Sequence, residues 1–129
     1  MITPRLLGIN FEETSKLEVD FSAKMPILTL EEARGTIRKI LQGDTGRIQP
    51  SPYCRQRMLE RQVFMEDIFH VLHWGELSPG THPGDAENNV FRDAGADLEE
   101  VPLTIVIRII VAQKFIEVIT VFGGTHDKT

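Results

Sequence analysis

Residues 102–122 read PLTIVIRIIVAQKFIEVITVF, and this stretch decides the fold. Leu103 to Val111 is a β-branched run, and Phe115 to Phe122 is a second. Ala112-Gln113-Lys114 between them predicts a tight hairpin connection. Pro102 suits the first residue of a strand, where a ladder donor is least missed. Strand alternation puts Leu103, Ile105, Ile107, Ile109 and Val111 on one face. Thr104, Val106, Arg108 and Ile110 fall on the other, a mixed face expected to be partly covered. With Thr104 and Arg108 inside it, the Leu103–Ala112 stretch is too short and too polar to span a membrane.

Working back, Asn88 to Ala94 fits a further strand. Residues 76–86 hold two prolines, two glycines and two acidic groups, and read as a long loop. Upstream the period changes from two to 3.6. Thr29-Leu30-Glu31-Glu32 has the capping-box pattern, with a hydroxyl at the cap and Glu three residues on. Leu30, Ala33, Ile37, Ile40 and Leu41 make an apolar stripe, and Gly43 predicts a left-handed stop. The first helix therefore covers about 30–42. A turn with Asp44 and Gly46 and an extended piece from Arg47 to Pro50 follow. Ser51-Pro52 opens a second helix to about Gln62. A third covers Met65 to Trp74, buries Met65, Ile68, Phe69 and Leu72, and stops at Gly75. Residues 1–28 read as an extension, with a short strand at Lys16–Phe21 or else a flexible arm. Residues 29–123 form one domain and 124–129 a tail. Helices first and a meander after them predict an α+β domain. Three helices pack on one face of an antiparallel sheet.

The 129 residues suit one domain and bury about two-thirds of their unfolded surface. At 41% hydrophobic and 26% charged, the composition is that of an ordinary globular chain and excludes a wholly disordered one. One cysteine, Cys54, excludes an intramolecular disulfide and a multi-cysteine zinc site. The first residues lack a signal-like apolar run, so a cytoplasmic location is expected. The net charge of −5 hides an asymmetry. Seven basic and four acidic residues leave +3 over residues 30–61. Nine acidic residues and Arg92 leave −8 over 64–100. These are either two working surfaces or solvated faces that neutralise one another. The overall sign disfavours non-specific RNA binding.

Ser51-Pro52-Tyr53-Cys54-Arg55-Gln56-Arg57-Met58-Leu59-Glu60-Arg61 leads into Val71-Leu72 and Gly75. Ile119-Thr120-Val121-Phe122 closes the last strand. Over residues 30–122 this resembles the domain-of-unknown-function family 4258. Its members carry Ser-x-His-Ala-x-x-Arg-Met-x-x-Arg, a helix ending in Leu-x-x-Gly, and a final Ile-Thr-Val-aromatic strand. The resemblance implies a RelE-like, toxin-related fold, many of whose members cut RNA without a metal. Arg57, Met58 and Arg61 match the motif and Ser51 matches in type. Tyr53 stands at the histidine position and Cys54 at the alanine. If that histidine were the acid or base, this chain has lost it.

Tyr53, Arg57 and Arg61 are thus the candidate catalytic residues, and Arg55 and Arg108 the candidate substrate-binding cations. Spacing by four puts Arg57 and Arg61 on one helix face, where they either clamp a phosphate or pair with Glu66, Asp67 or Glu76. Tyr53 is either a general acid and stacking platform or a partly buried packing residue, the latter expected. Cys54 is expected in the core rather than reactive. His70 and His73, three apart, have metal-binding spacing, with His82 and Asp85 as possible additions. No metal or cofactor is expected. Trp74 is expected to pack under the loop.

Two functions follow. One is a non-catalytic interaction module, with a protein partner or a second copy, using the acidic region 76–100. The other is a toxin-like ribonuclease built on Tyr53, Arg57 and Arg61. The missing histidine and the acidic balance favour the first.

Overall fold

The computed structural model describes residues 26–43 and 47–126. The strand expected at Lys16–Phe21 and the turn at Asp44 and Gly46 lie outside them. Helix α1 is Leu30–Gln42. The Thr29 hydroxyl accepts the Glu32 amide at 3.1 Å, and the Glu32 carboxylate accepts the Thr29 amide at 2.9 Å. Two donors that a helix start leaves unmet are thereby satisfied. Ala33, Ile37 and Ile40 are buried along its stripe. Its stop differs from expectation. Gly43 has φ −101°, not a left-handed value, and its amide simply turns back to the Lys39 and Ile40 carbonyls.

Helix α2 is Pro52–Arg61, and the Ser51 hydroxyl accepts the Cys54 amide at 3.0 Å. Here the stop is left-handed, at Gln62 with φ 53°. Helix α3 is Met65–Trp74. Phe64 stands where a capping side chain is usual, and Asp67 supplies the acceptor instead. Its carboxylate takes the Phe64 amide at 2.9 Å and the Leu98 amide at 3.0 Å. Gly75 ends α3 through its amide to the Val71 carbonyl at 2.7 Å. Its φ of −78° is ordinary, so conformational freedom is not the reason for glycine at the stop. Space is the reason: a Cβ there would strike the Asp93 carboxylate and the Val71 carbonyl. Trp74 is 75% exposed, so it does not pack under the loop.

The sheet has five strands: β1 (Ile48–Pro50), β2 (Glu76–Pro79), β3 (Val90–Ala96), β4 (Pro102–Ile110) and β5 (Phe115–Gly123). Their order is β1-β5-β4-β3-β2. Strands β3 to β5 form the expected antiparallel meander, and β2, which was not expected, adds to it antiparallel against β3. The sheet as a whole is mixed, because the extended piece before α2 becomes β1 and pairs parallel with β5. Two helices separate β1 from β2, and that length lets the chain cross from one sheet edge to the other. The expected loop at 76–86 also begins late, since Glu76–Pro79 is strand β2. The β4–β5 connection is a short 3-10 turn, Val111–Gln113, closed by left-handed Lys114.

All three helices bury one face of the sheet. Ile37, Cys54, Ile68, Val71 and Leu72 meet Leu103, Ile105, Ile107, Ile109, Ile116 and Val118 in one core cluster. Each large aliphatic side chain buried there contributes about 1.5–3 kcal/mol. The other face is set by a bulge. Ile107 pairs Val118, but Val106 pairs Thr120, leaving Ile119 as the extra residue. Beyond it, Thr120 and Phe122 share the helix-free face with Glu117. Asn89, left-handed at φ 55°, joins the loop to β3. It is fully buried and holds the segment before α1 from both sides. Its Oδ1 accepts the Leu28 amide at 2.9 Å, and its Nδ2 donates to the Pro26 carbonyl at 2.8 Å.

Candidate functional site

Helix α2 runs along the β5 edge just past the end of β1, and this decides what its motif residues do. The Ser51 hydroxyl donates to the Ile119 carbonyl at 3.0 Å, and Arg61 Nη1 donates to the Val121 carbonyl at 3.0 Å. Two acceptors on an otherwise open strand edge are satisfied by side chains, which also blocks further strand addition there. Arg57 lies one turn before Arg61. Its guanidinium sits 5.8 Å from the Tyr53 ring centroid and 3.5 Å from the Glu60 carboxylate. Its Nε is buried without a hydrogen-bond partner. Tyr53 itself is 58% exposed, contrary to the packing role expected. Its phenol is accessible, and its ring serves as the platform for Arg57.

Arg55 is two residues from Arg57, so at about 100° per residue it lies about half a turn around the helix. It faces a different groove. Arg108, on β4, pairs with Glu117 directly across on β5 at 3.2 Å. The structure therefore unites Tyr53, Arg57 and Arg61 along one side of α2 and sets Arg55 and Arg108 elsewhere. The expected partners Glu66 and Asp67 do not supply the contacts just described. Asp67 is occupied by backbone amides of its own region. Arg34 reaches from the basic to the acidic segment. It closes the end of α3 by donating to the Leu72 carbonyl at 3.3 Å and the Gly75 carbonyl at 2.7 Å. Beneath it Asp93 is fully buried, with neither carboxylate oxygen hydrogen-bonded. Burial pushes its carboxyl up to about 6, and the charge of Arg34 offsets part of that.

Cys54 is fully buried in the core, and burial pushes its thiol up to about 11. The arginines of α2 do not activate it. His70 Nδ1 lies 3.0 Å from the Ala96 carbonyl, and the His73 ring stacks near Trp74 at 5.5 Å. Among the described residues no three metal-ligating side chains come together. In the same residues no helix is long and apolar enough to cross a membrane.

A concave surface at the α2–α3 turn was not foreseen. A groove of about 550 Å³ lies where α2 turns into α3, lined by Pro50, Arg55, Met58, Leu59, Phe64 and Met65 among others. Leu59 is 81% exposed and Phe64 62%. Gln62 and Phe64 also line a second cleft, with Glu66, Asp67, Asp97 and Glu99. Leu98, 58% exposed, borders it. Asp97 is fixed there by the Glu99, Val101 and Thr125 amides. Burial raises its carboxyl, but those bonds and the Thr125 hydroxyl outweigh burial and hold it below the usual value. The signal for this surface was present in two places. Leu59 lies off the buried side of α2, and Phe64 occupies a capping position that favours small polar residues.

Comparison of the chain with protein-family models, with curated proteins and with solved structures finds no match.

Proposed function

We propose that the chain is a non-catalytic protein-interaction module on a toxin-like, RelE-related α+β fold, acting in the cytoplasm. The observation that carries this is the apolar groove at the α2–α3 turn running into an acidic cleft. Phe64 is left to solvent beside Leu59 in the groove and beside Leu98 in the cleft, and apolar exposure of this kind supports a contact role. Glu66 and Glu99 are exposed beside them. The occupant that fits is a segment of another protein with apolar anchors on one side and lysine or arginine on the other. Its anchors sit against Met58, Leu59 and Phe64, and its cations lie over the acidic cleft. Two features of α2 support the non-catalytic reading: the histidine position holds Tyr53, and Arg61 is engaged by strand β5.

The test is selection from a displayed peptide library, followed by measured affinities. Basic amphipathic peptides are the expected winners. Leu59→Asp should weaken them by on the order of ten-fold or more, as loss of a central anchor does. Arg57→Ala should leave them unchanged. An enriched set without apolar anchors, or one indifferent to Leu59→Asp, argues against the module.

A second reading is a metal-independent ribonuclease using Tyr53, Arg57 and Arg61. It is favoured by the Arg57 guanidinium held over the Tyr53 ring. RNA cleavage by purified protein, abolished in Tyr53→Phe and Arg57→Ala, would establish it. Intact RNA after prolonged incubation removes it.

A further inference from the structure

The sheet face opposite the helices carries a second concavity, separate from the α2–α3 groove. Ser78, Arg92, Val106 and Thr120 stand in one row across β2, β3, β4 and β5. Neighbouring strands are about 4.8 Å apart, so Arg92 and Thr120 start roughly 10 Å from each other. The Arg92 guanidinium lies 5.8 Å from the centroid of the Phe122 ring, so it leans across β4 towards β5. Thr120 is only 9% exposed, and its hydroxyl has no hydrogen-bond partner. A cleft of about 180 Å³ opens here, lined by Arg92, Thr120 and Phe122, by the apolar Val90, Val106 and Ile119, and by the 80–85 loop.

We propose that this cleft binds a small organic carboxylate. A guanidinium laid on an aromatic ring keeps its N–H edge free for a planar, two-oxygen anion. Among the described residues no carboxylate pairs with Arg92. The buried Thr120 hydroxyl is a further donor that nothing inside the protein uses. Val90, Val106 and Ile119 supply walls for the carbon portion of the ligand. The charges around the cleft favour one negative charge over two. In the next row Arg108 is already paired with Glu117. At the rim, Asp85 accepts the His82 amide at 2.9 Å, with the His82 ring 3.8 Å away, so a carboxylate faces the incoming anion. A dianionic phosphate would meet that repulsion with Arg92 alone to offset it. The volume suits a few carbon atoms, not a nucleotide.

The probes are acetate, butyrate, benzoate and inorganic phosphate, titrated into the full chain and followed by side-chain and amide NMR. Saturable shifts at Arg92, Thr120 and Phe122, with affinity rising several-fold from acetate to butyrate, are expected. Arg92→Gln should weaken butyrate at least ten-fold. Thr120→Val, nearly isosteric and free of the buried hydroxyl, should melt no lower than the parent and bind butyrate several-fold more weakly. Shifts that do not saturate, phosphate binding as well as butyrate, or an unchanged affinity in folded Thr120→Val would each overturn the proposal. None of these outcomes bears on the α2–α3 groove, whose residues lie on the other side of the sheet.

Discussion

Arg61 donates to the Val121 carbonyl at 3.0 Å, joining the end of α2 to the free edge of a strand 60 residues later. Ser51 does the same for Ile119 at the start of the helix. Half of the family-like motif is thereby explained as strand-edge closure. Arg61→Ala is expected to cost about 1–2 kcal/mol of stability, the range for a partly exposed charge-assisted bond. Ser51→Ala should cost a similar amount, since it also removes the helix cap. Urea unfolding of both variants is the check; midpoints equal to the parent's would refute edge closure as their role and return Arg61 to the functional candidates.

Asn89 predicts a larger loss. It meets two backbone groups of residues 26–28 and sits in a left-handed conformation that most residues resist. Asn89→Ala should destabilise by about 2–4 kcal/mol. Asn89→Gly relieves the backbone but not the lost bonds, and should fall between. Amide exchange at Leu28 should accelerate in both, and an unchanged rate there would show that something else holds the segment.

Asp93 predicts a pH dependence of definite sign. An unfolded aspartate releases its proton near pH ~4, whereas buried Asp93 holds it to about 6. Between these values the folded state binds the more protons, so stability contributed by this group falls as pH rises. It is fully present below the lower value and gone above the upper. A gap of about two pH units corresponds to about 3 kcal/mol. Asp93→Asn removes the titration, so the variant should gain on the parent from pH 4 to 7 in parallel urea series. A constant difference across that range would refute the assignment.

Cys54 should be inert. With its thiol buried and held protonated well above neutral pH, it should ignore a disulfide reagent in the native protein. In denaturant it should react at the rate of a free thiol. Rapid native labelling would mean that α2 opens readily from the core.

Much of this architecture was legible because local chemistry carried it. Thr29 and Glu32 announce α1, Ser51-Pro52 announces α2, and the alternation from Leu103 onward sorts the two faces of β4 correctly. The misreadings have a common cause in contacts distant along the chain. Three residues, Ile48 to Pro50, hold no pattern that reveals a parallel partner near the far end of the chain. Glu76–Pro79 is short and contains proline, so only its pairing with β3 makes it a strand. Gly75 is read rightly as a stop, but its reason, contact with Asp93, lies on another element. The candidate site follows the same division. Helical spacing placed Arg57 beside Arg61. That Arg61 would be taken by Val121, or that Leu59 and Phe64 would share a groove, depends on the docking of α2 and the α2–α3 turn.

The parallel pairing of β1 with β5 also governs how the chain is made. Ser51 waits for Ile119, 68 residues downstream, so neither β1 nor the edge side of α2 has its native partners while synthesis is under way. At about 5–20 residues per second, a ribosome leaves this half of the domain incomplete for several seconds. During that interval the apolar side of α2 is open to whatever else is in reach. Emergence of β5 completes the sheet and covers that surface.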